Sequence, residues 1–96
     1  MTHIILSEQV KADFERIFDF LFEYAADTSV ARIQEIVAAI DILQTSPKMG
    51  RPVALGQREL VISKGGGYLA LYRYDPINDI AYVLSVKSQR EQDYKK

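Results

Sequence analysis

The hydrophobic positions divide this chain into a helical half and a strand half. After a short β-type run at Thr2–Leu6, apolar residues recur every three or four positions between 10 and 43, as on amphipathic helices. Ser7 is a favoured N-cap for the first helix, and 25–29 offers caps for the second. With so short a connection, we expect an αα-hairpin. The predicted core stripes are Val10, Phe14, Ile17, Phe18, Leu21 and Phe22 in the first helix, and Val30, Ile33, Ile36, Val37, Ile40 and Leu43 in the second.

Two further aromatic residues widen the stripe of the first helix beyond a single face. Phe20 and Tyr24 extend the apolar surface of the helix beyond the one face that would point to the core. Either the second helix covers them, or they form a patch that binds a partner. The pattern leaves both explanations open.

The second half of the chain alternates with the period of β-strands. A loop at 46–57, rich in proline and glycine, precedes predicted strands at 58–63, 68–74 and 80–86. Turns are predicted at Lys64–Gly67 and Asp75–Asp79. The order β-α-α-β-β-β predicts an α+β fold, in which an antiparallel meander of the last three strands packs against the helical hairpin. At 96 residues the chain is predicted to form a single domain, 1–96.

The composition excludes several classes of protein. There is no cysteine and only one histidine, His3, so thiolate and multi-histidine metal sites are excluded, and no metal or cofactor is expected. The longest apolar runs have five residues, such as Ile80–Leu84, which is far short of a membrane span. No signal-peptide pattern opens the chain. We therefore expect a cytoplasmic protein that does not enter a membrane.

Charge is distributed unevenly along the chain. Residues 1–50 carry four basic and eight acidic residues, a net −4, whereas residues 51–96 carry eight basic and five acidic residues, a net +3. This asymmetry indicates either a polarised surface for an anionic partner or simply helices with acidic solvent faces. A pI of 5.8 argues against generic nucleic-acid binding.

Candidate chemistry is confined to a set of basic and tyrosine side chains. Arginine binds phosphate or carboxylate with two parallel hydrogen bonds, and tyrosine can stack on a base or relay a proton. The competing interpretation is structural: Arg58 pairs with an acid, Arg73 lies along the sheet rim, and the tyrosines are ordinary strand residues. The set comprises Arg51, Arg58, Arg73, Lys87, Arg90, Tyr72, Tyr74 and Tyr94.

Four segments in succession resemble the RelE/ParE superfamily of type II toxins. They are 46–52 with Gly50-Arg51-Pro52, 58–62, 67–75 and 82–94. Together with the β-α-α-β-β-β order, the resemblance covers essentially the whole chain. It implies a bacterial toxin that a cognate antitoxin, encoded beside it, binds and neutralises in a hetero-oligomer.

The resemblance implies roles for individual residues. Arg58 and Arg73 match the family's strand arginines, and 87–90 matches its basic carboxy-terminal motif. The implied target-binding residues are Arg51, Arg58, Arg73, Lys87 and Arg90. A RelE-type catalytic site would use Arg58, Arg73, Lys87, Arg90 and Tyr94. Antitoxin binding is expected at Phe20 and Tyr24.

The target implied by the resemblance depends on the branch of the superfamily. Many relatives carry histidine at the position of Ser88, and ribosome-directed relatives are usually strongly basic. This chain has Ser88 at that position and a pI of 5.8. These two differences, together with the Gly50-Arg51-Pro52 signature, favour a ParE-like inhibitor of DNA gyrase. The first alternative is a RelE-like interferase that cuts mRNA on the ribosome, and the second is a non-toxic member that binds its antitoxin and autoregulates.

Overall fold

Two helices cover one face of a mixed β-sheet in the computed structural model, which describes residues 1–62 and 67–88. The strands are β1 (His3–Leu6), β2 (Arg51–Pro52), β3 (Arg58–Val61), β4 (Tyr68–Asp75) and β5 (Ile80–Ser88); the helices are α1 (Glu8–Tyr24) and α2 (Ala26–Asp41). Short 3-10 turns occupy Ile42–Gln44 and Ala54–Gly56. The sheet order is β1-β5-β4-β3-β2. The predicted α+β architecture is confirmed.

The sheet differs from a purely antiparallel meander at both edges. β1 pairs with β5 in parallel, because α1 and α2 return the chain over the sheet before the meander begins. At the opposite edge, β2 arises within the predicted loop and pairs with Arg58 and Glu59 only. Of the predicted turns, Asp75–Asp79 is present, with the Asp75 carboxylate accepting the N–H groups of Ile77 and Asn78. Residues 64–66 of the other predicted turn, Lys64–Gly67, lie outside the described residues.

The helix α1 begins at the predicted cap, but two of its aromatic residues are exposed where core positions were predicted. The Ser7 hydroxyl accepts the Val10 N–H at 3.1 Å, which confirms the N-cap. The buried positions are Val10, Asp13, Ile17 and Leu21. Phe18 and Phe22, predicted to be core residues, are 41% and 63% exposed. Their spacing from Ile17 and Leu21 is one residue, about 100° around a helix, and this turns them away from the sheet.

The helix α2 begins within the stretch 25–29 predicted to hold its cap, but its N-cap residue makes no side-chain hydrogen bond. Ala25, between the helices, is the N-cap, and Ser29 lies inside the first turn, donating to the Ala26 carbonyl at 3.0 Å. The stripe toward the sheet is narrower than predicted. Ile36, Ile40 and Leu43 are buried, whereas Val30 and Val37 are 61% and 44% exposed.

A β-bulge in β5 changes which residues face the helices. Leu71 pairs with Ser85, but the next residue, Tyr72, pairs with Val83, so β5 contains one extra residue at Leu84. Simple alternation places Ser85 on the same face as Ala81 and Val83. The bulge turns Ser85 to the opposite face and buries Val86 instead.

The bulge is held by two side chains from the start of α1. The Ser7 hydroxyl donates to the Leu84 carbonyl at 3.0 Å, while the Asp13 carboxylate accepts the Val86 N–H at 3.0 Å. The Asp13 side chain is fully buried. Burial alone would raise the pKa of Asp13, but hydrogen bonds from Val86, Gln9 and Arg16 hold it below its ordinary value.

Candidate target-binding surface

Within residues 1–62 and 67–88, no helix covers the other face of the sheet, and this outer face carries Arg51, Arg73 and Lys87 of the candidate set. The strand register aligns Arg51, Glu59, Leu71 and Ser85 across four neighbouring strands. Leu69 and Lys87 form the adjacent pair on the same face. A hollow of about 140 Å³ lies here, lined by Glu59, Leu69, Leu71, Ser85 and Lys87.

An ion pair borders this hollow. Arg51 donates from Nη2 and Nε to the Glu59 carboxylate at 2.7 and 3.0 Å, across directly opposed positions of β2 and β3. The Arg51 side chain is 72% exposed and that of Glu59 is 24% exposed. Pairs in contact with solvent contribute little to stability, about 0–1 kcal/mol. The pair therefore shapes the charge of the surface more than it stabilises the fold.

Arg58 lies on the inner face, toward the helices, and acts as a clamp on the preceding loop. Its Nη1 donates to the carbonyls of Gly50 and Lys48 at 2.7 and 3.1 Å. It pairs with Tyr72 of β4, which is completely buried. The structure thus separates Arg58 from the outer-face residues Arg51 and Lys87, with which it had been grouped.

Tyr72 completes the same clamp from inside the core. Its hydroxyl donates to the Pro47 carbonyl at 2.7 Å and accepts the Gly50 N–H at 2.9 Å. A Cβ at Gly50 would lie 2.7 Å from Tyr72 Cε1, so glycine is needed for this close approach. Tyr72 therefore has a structural role.

The remaining strand candidates lie at different ends of the sheet. Arg73 is exposed on the outer face, where Nη2 donates to the Leu55 carbonyl at 3.0 Å and supports the 3-10 turn at Ala54–Gly56. Lys87 is exposed beside the hollow. Arg90 and Tyr94 lie outside the described residues.

Tyr74 belongs to a cluster that joins the start of β1 to the β4–β5 turn. Asp79 Oδ1 accepts from the Thr2 hydroxyl at 2.6 Å and from the Tyr74 hydroxyl at 2.8 Å. These hydrogen bonds lower the pKa of Asp79, and the bond to Asp79 raises the pKa of Tyr74. The cluster tethers one end of the sheet, away from the hollow.

The aromatic residues of α1 lie on the helical side of the molecule. Phe20 and Tyr24 are 44% and 69% exposed, with ring centroids 4.8 Å apart. The interpretation that the second helix covers them was wrong. A second pair, Phe18 and Phe22, lies on the same helix with ring centroids 5.9 Å apart.

Two polar residues of the hollow, Glu59 and Ser85, are absent from the candidates that the sequence indicated. Glu59 follows Arg58 directly, and alternation alone places it on the opposite face from its neighbour. The sequence signal was therefore present. Ser85 reaches the hollow only because of the bulge at Leu84, for which the local sequence carries no signal.

Neither metal nor membrane features occur in the part of the chain that the structure describes. Within residues 1–62 and 67–88, no group of three histidine, aspartate or glutamate side chains could hold a metal ion. No helix in these ranges has the length and hydrophobicity needed to cross a membrane.

Solved structures with this arrangement of two helices on a mixed sheet define the fold as that of RelE/ParE-like toxins. The toxin-antitoxin system ParDE encoded on the P. aeruginosa chromosome matches with a TM-score of 0.77 at 21% identity, over 92% of this chain and 96% of that one. The intact RelBE complex of E. coli matches with 0.59 at 11% identity, over 90% and 94%. The RelBE2 complex of Mycobacterium tuberculosis matches with 0.56 at 14% identity, over 92% and 98%.

The sequence comparison identifies the family. The model of the ParE toxin of type II toxin-antitoxin systems matches residues 4–93, so this chain belongs to that family. No curated protein matches the sequence.

Proposed function

We propose that this ParE-family toxin inhibits DNA gyrase and that an antitoxin neutralises it. The observation that carries the first part is the separation of the candidate catalytic groups. Arg58 lies on the inner face with its guanidinium bound to two backbone carbonyls, whereas Lys87 lies on the outer face. Groups that act on one phosphodiester must reach the same reacting atoms. The arrangement therefore favours binding over RNA cleavage.

The outer face has the composition of a protein-binding surface. Leu69 and Leu71 are half-buried in the hollow, and Arg51 and Lys87 are exposed at its border. An apolar centre with charged residues around it suits a protein partner, since the centre supplies binding energy and the charges select the partner. We assign target binding to this face, with Arg51, Arg73 and Lys87 as its cations.

The antitoxin part of the proposal is supported by the family and by the neighbouring complexes. The solved RelBE structures are described as toxin-antitoxin complexes. The present chain also exposes apolar aromatic side chains on α1 that a partner would cover, Phe20 and Tyr24 among them.

A gyrase supercoiling assay with the purified protein tests the target. We expect inhibition that increases with toxin concentration, and Lys87→Glu should weaken it about tenfold or more. Lys11→Glu is the matched control, because it makes the same charge change on an exposed position of α1. A lack of inhibition by the wild-type protein at saturation would contradict the proposal.

Two further assays distinguish the alternatives. Codon-specific cuts in a toeprint of a translating ribosome would establish RNA cleavage instead. Expression without any antitoxin should arrest growth; unaffected growth would favour a member that only binds its antitoxin and autoregulates.

A further inference from the structure

Leu55, in the connection between β2 and β3, has a backbone conformation that leucine rarely adopts. Its φ is 65° and its ψ is 28°, which is the left-handed region. Among the described residues, the other non-glycine residue with a positive φ is Asp79, and aspartate tolerates this region better than most residues do. Leucine does not, because its Cβ lies too close to the following carbonyl oxygen. The chain therefore keeps leucine where another residue type would fit at lower energy.

The turn around Leu55 is of a kind that normally carries asparagine and glycine. Leu55 and Gly56 have φ values of 65° and 70°. The Gln57 N–H donates to the Ala54 carbonyl across them at 3.3 Å. Two central residues with positive φ are typical of a type I′ turn, in which Asn-Gly is a favoured sequence. Gly56 suits this turn, whereas the backbone gives no reason for leucine before it.

Packing within the chain gives no reason for leucine either. The Leu55 side chain is 80% exposed. The backbone beneath it is nevertheless fixed, because Arg73 Nη2 donates to the Leu55 carbonyl at 3.0 Å and the Val53 N–H donates to the Gln57 carbonyl at 2.9 Å. A single exposed apolar residue is common on protein surfaces. One that is also held in an unfavourable conformation indicates a role outside the fold.

Arg73 connects Leu55 to the outer face of the sheet. Arg73 and Leu71 are two residues apart in β4, so their side chains lie on the same face. The Arg73 side chain is exposed, and its guanidinium has further N–H donors besides the one that binds the Leu55 carbonyl. Leu55 therefore lies at the border of the proposed target-binding face, directly beside one of its cations.

We propose that Leu55 is the apolar anchor with which this protein docks on its target protein, its side chain entering a pocket on the target surface. The pocket should be lined by apolar side chains and should carry a carboxylate at its rim, within reach of Arg73. A side chain on a fixed backbone loses less conformational freedom on binding than one on a mobile loop. This inference rests on the proposed inhibition of gyrase and adds the residue that enters the target.

The decisive variant is Leu55→Asn, because it separates binding from folding. Asparagine suits the turn, so the melting temperature should rise by about 2–6 °C. The concentration that half-inhibits gyrase supercoiling should nevertheless rise about tenfold or more, and so should the toxin level, measured by immunoblot, that arrests growth. A gain in stability together with a loss of toxicity cannot come from damage to the fold.

Three further variants define the anchor. Val30→Asn exchanges another exposed apolar residue, 61% exposed on the helical side, and should leave inhibition and growth arrest unchanged. Leu55→Met keeps an apolar side chain of similar volume and should recover most of the activity that Leu55→Asn loses. Arg73→Gln removes the cation beside the anchor and should weaken inhibition, since the carboxylate of the target loses its partner.

Several results would overturn the inference. These are full toxicity of Leu55→Asn, full toxicity of Arg73→Gln, or a lower melting temperature of Leu55→Asn, which would assign the leucine to the fold. A wild-type protein that arrests growth without inhibiting gyrase would contradict gyrase as the target, and the growth assay would still test the anchor. A wild-type protein that does neither would overturn both proposals.

Discussion

The Asp13 carboxylate accepts the Val86 N–H at 3.0 Å and so takes the position that a neighbouring strand would fill beside β5. β1 pairs with β5 only as far as Val83, because the chain then enters α1. The Asp13 side chain, in the second turn of that helix, accepts the N–H of Val86, which lies beyond the paired part of β5. The carboxylate also accepts from Gln9 and Arg16.

Replacing this carboxylate should therefore destabilise the protein. Asp13→Asn keeps the shape but removes the charge, and we expect a loss of about 1–3 kcal/mol in the free energy of unfolding. Urea denaturation near neutral pH measures it. Asp19→Asn, on the exposed side of the same helix, serves as control and should change stability by less than about 0.5 kcal/mol.

The same group should contribute to acid denaturation. Its folded pKa lies below the ordinary value of 3.8, so the contribution is complete above that value and is lost as the pH falls through the folded pKa. The unfolding free energy of the wild type should thus decrease below about pH 4. Asp13→Asn should lose less stability over that range in urea titrations; an equal loss would assign the acid sensitivity to other carboxylates.

Loss of the Arg58 clamp should destabilise the loop before β2. Arg58→Ala removes the donor to the Gly50 and Lys48 carbonyls, so we expect a cost of about 1–3 kcal/mol. Thermal unfolding measures the stability of Arg58→Ala. The comparison variant is Arg73→Ala, because Arg73 donates to the carbonyl of the exposed Leu55. Equal stability of Arg58→Ala and wild type would contradict the structural role.

Tyr72→Phe isolates the two hydrogen bonds of the buried hydroxyl. The ring remains, but the Gly50 N–H and Pro47 carbonyl lose their partner, at a cost of about 1–3 kcal/mol. Tyr82→Phe, a half-buried position in β5, provides the comparison and should change the unfolding free energy by about 0.5 kcal/mol or less. Similar effects of the two changes would show that the clamp adds little stability.

Two large-to-small substitutions should differ in their cost to the free energy of unfolding, because one side chain is buried and the other is partly exposed. Ile40→Ala empties a buried site and should cost about 2–5 kcal/mol. Phe18 belongs to the helical stripe that predicts a core position, but Phe18→Ala should lose only about 1 kcal/mol, since the ring is 41% exposed and contacts Phe22 at the surface. Chemical denaturation of both variants measures the difference.

The residues themselves determined the elements of this fold. Spacings of three and four predicted both helices, alternation predicted β3, β4 and β5, and Ser7 predicted the start of α1, because these signals are local. Gly50-Arg51-Pro52 and the strand segments also carried the family resemblance, which the family match confirmed. The sequence also identified the candidate basic side chains, but it did not show on which face of the sheet each one lies.

Tertiary structure decided which of those side chains share a face. The bulge at Leu84 moved Ser85 outward, and the buried clamp with Tyr72 drew Arg58 inward. Asp13 lies in the core, where its carboxylate accepts the N–H of Val86 in β5. Each outcome depends on hydrogen bonds between residues distant in the chain, and periodicity, which reports only neighbours, contains no information about such partners.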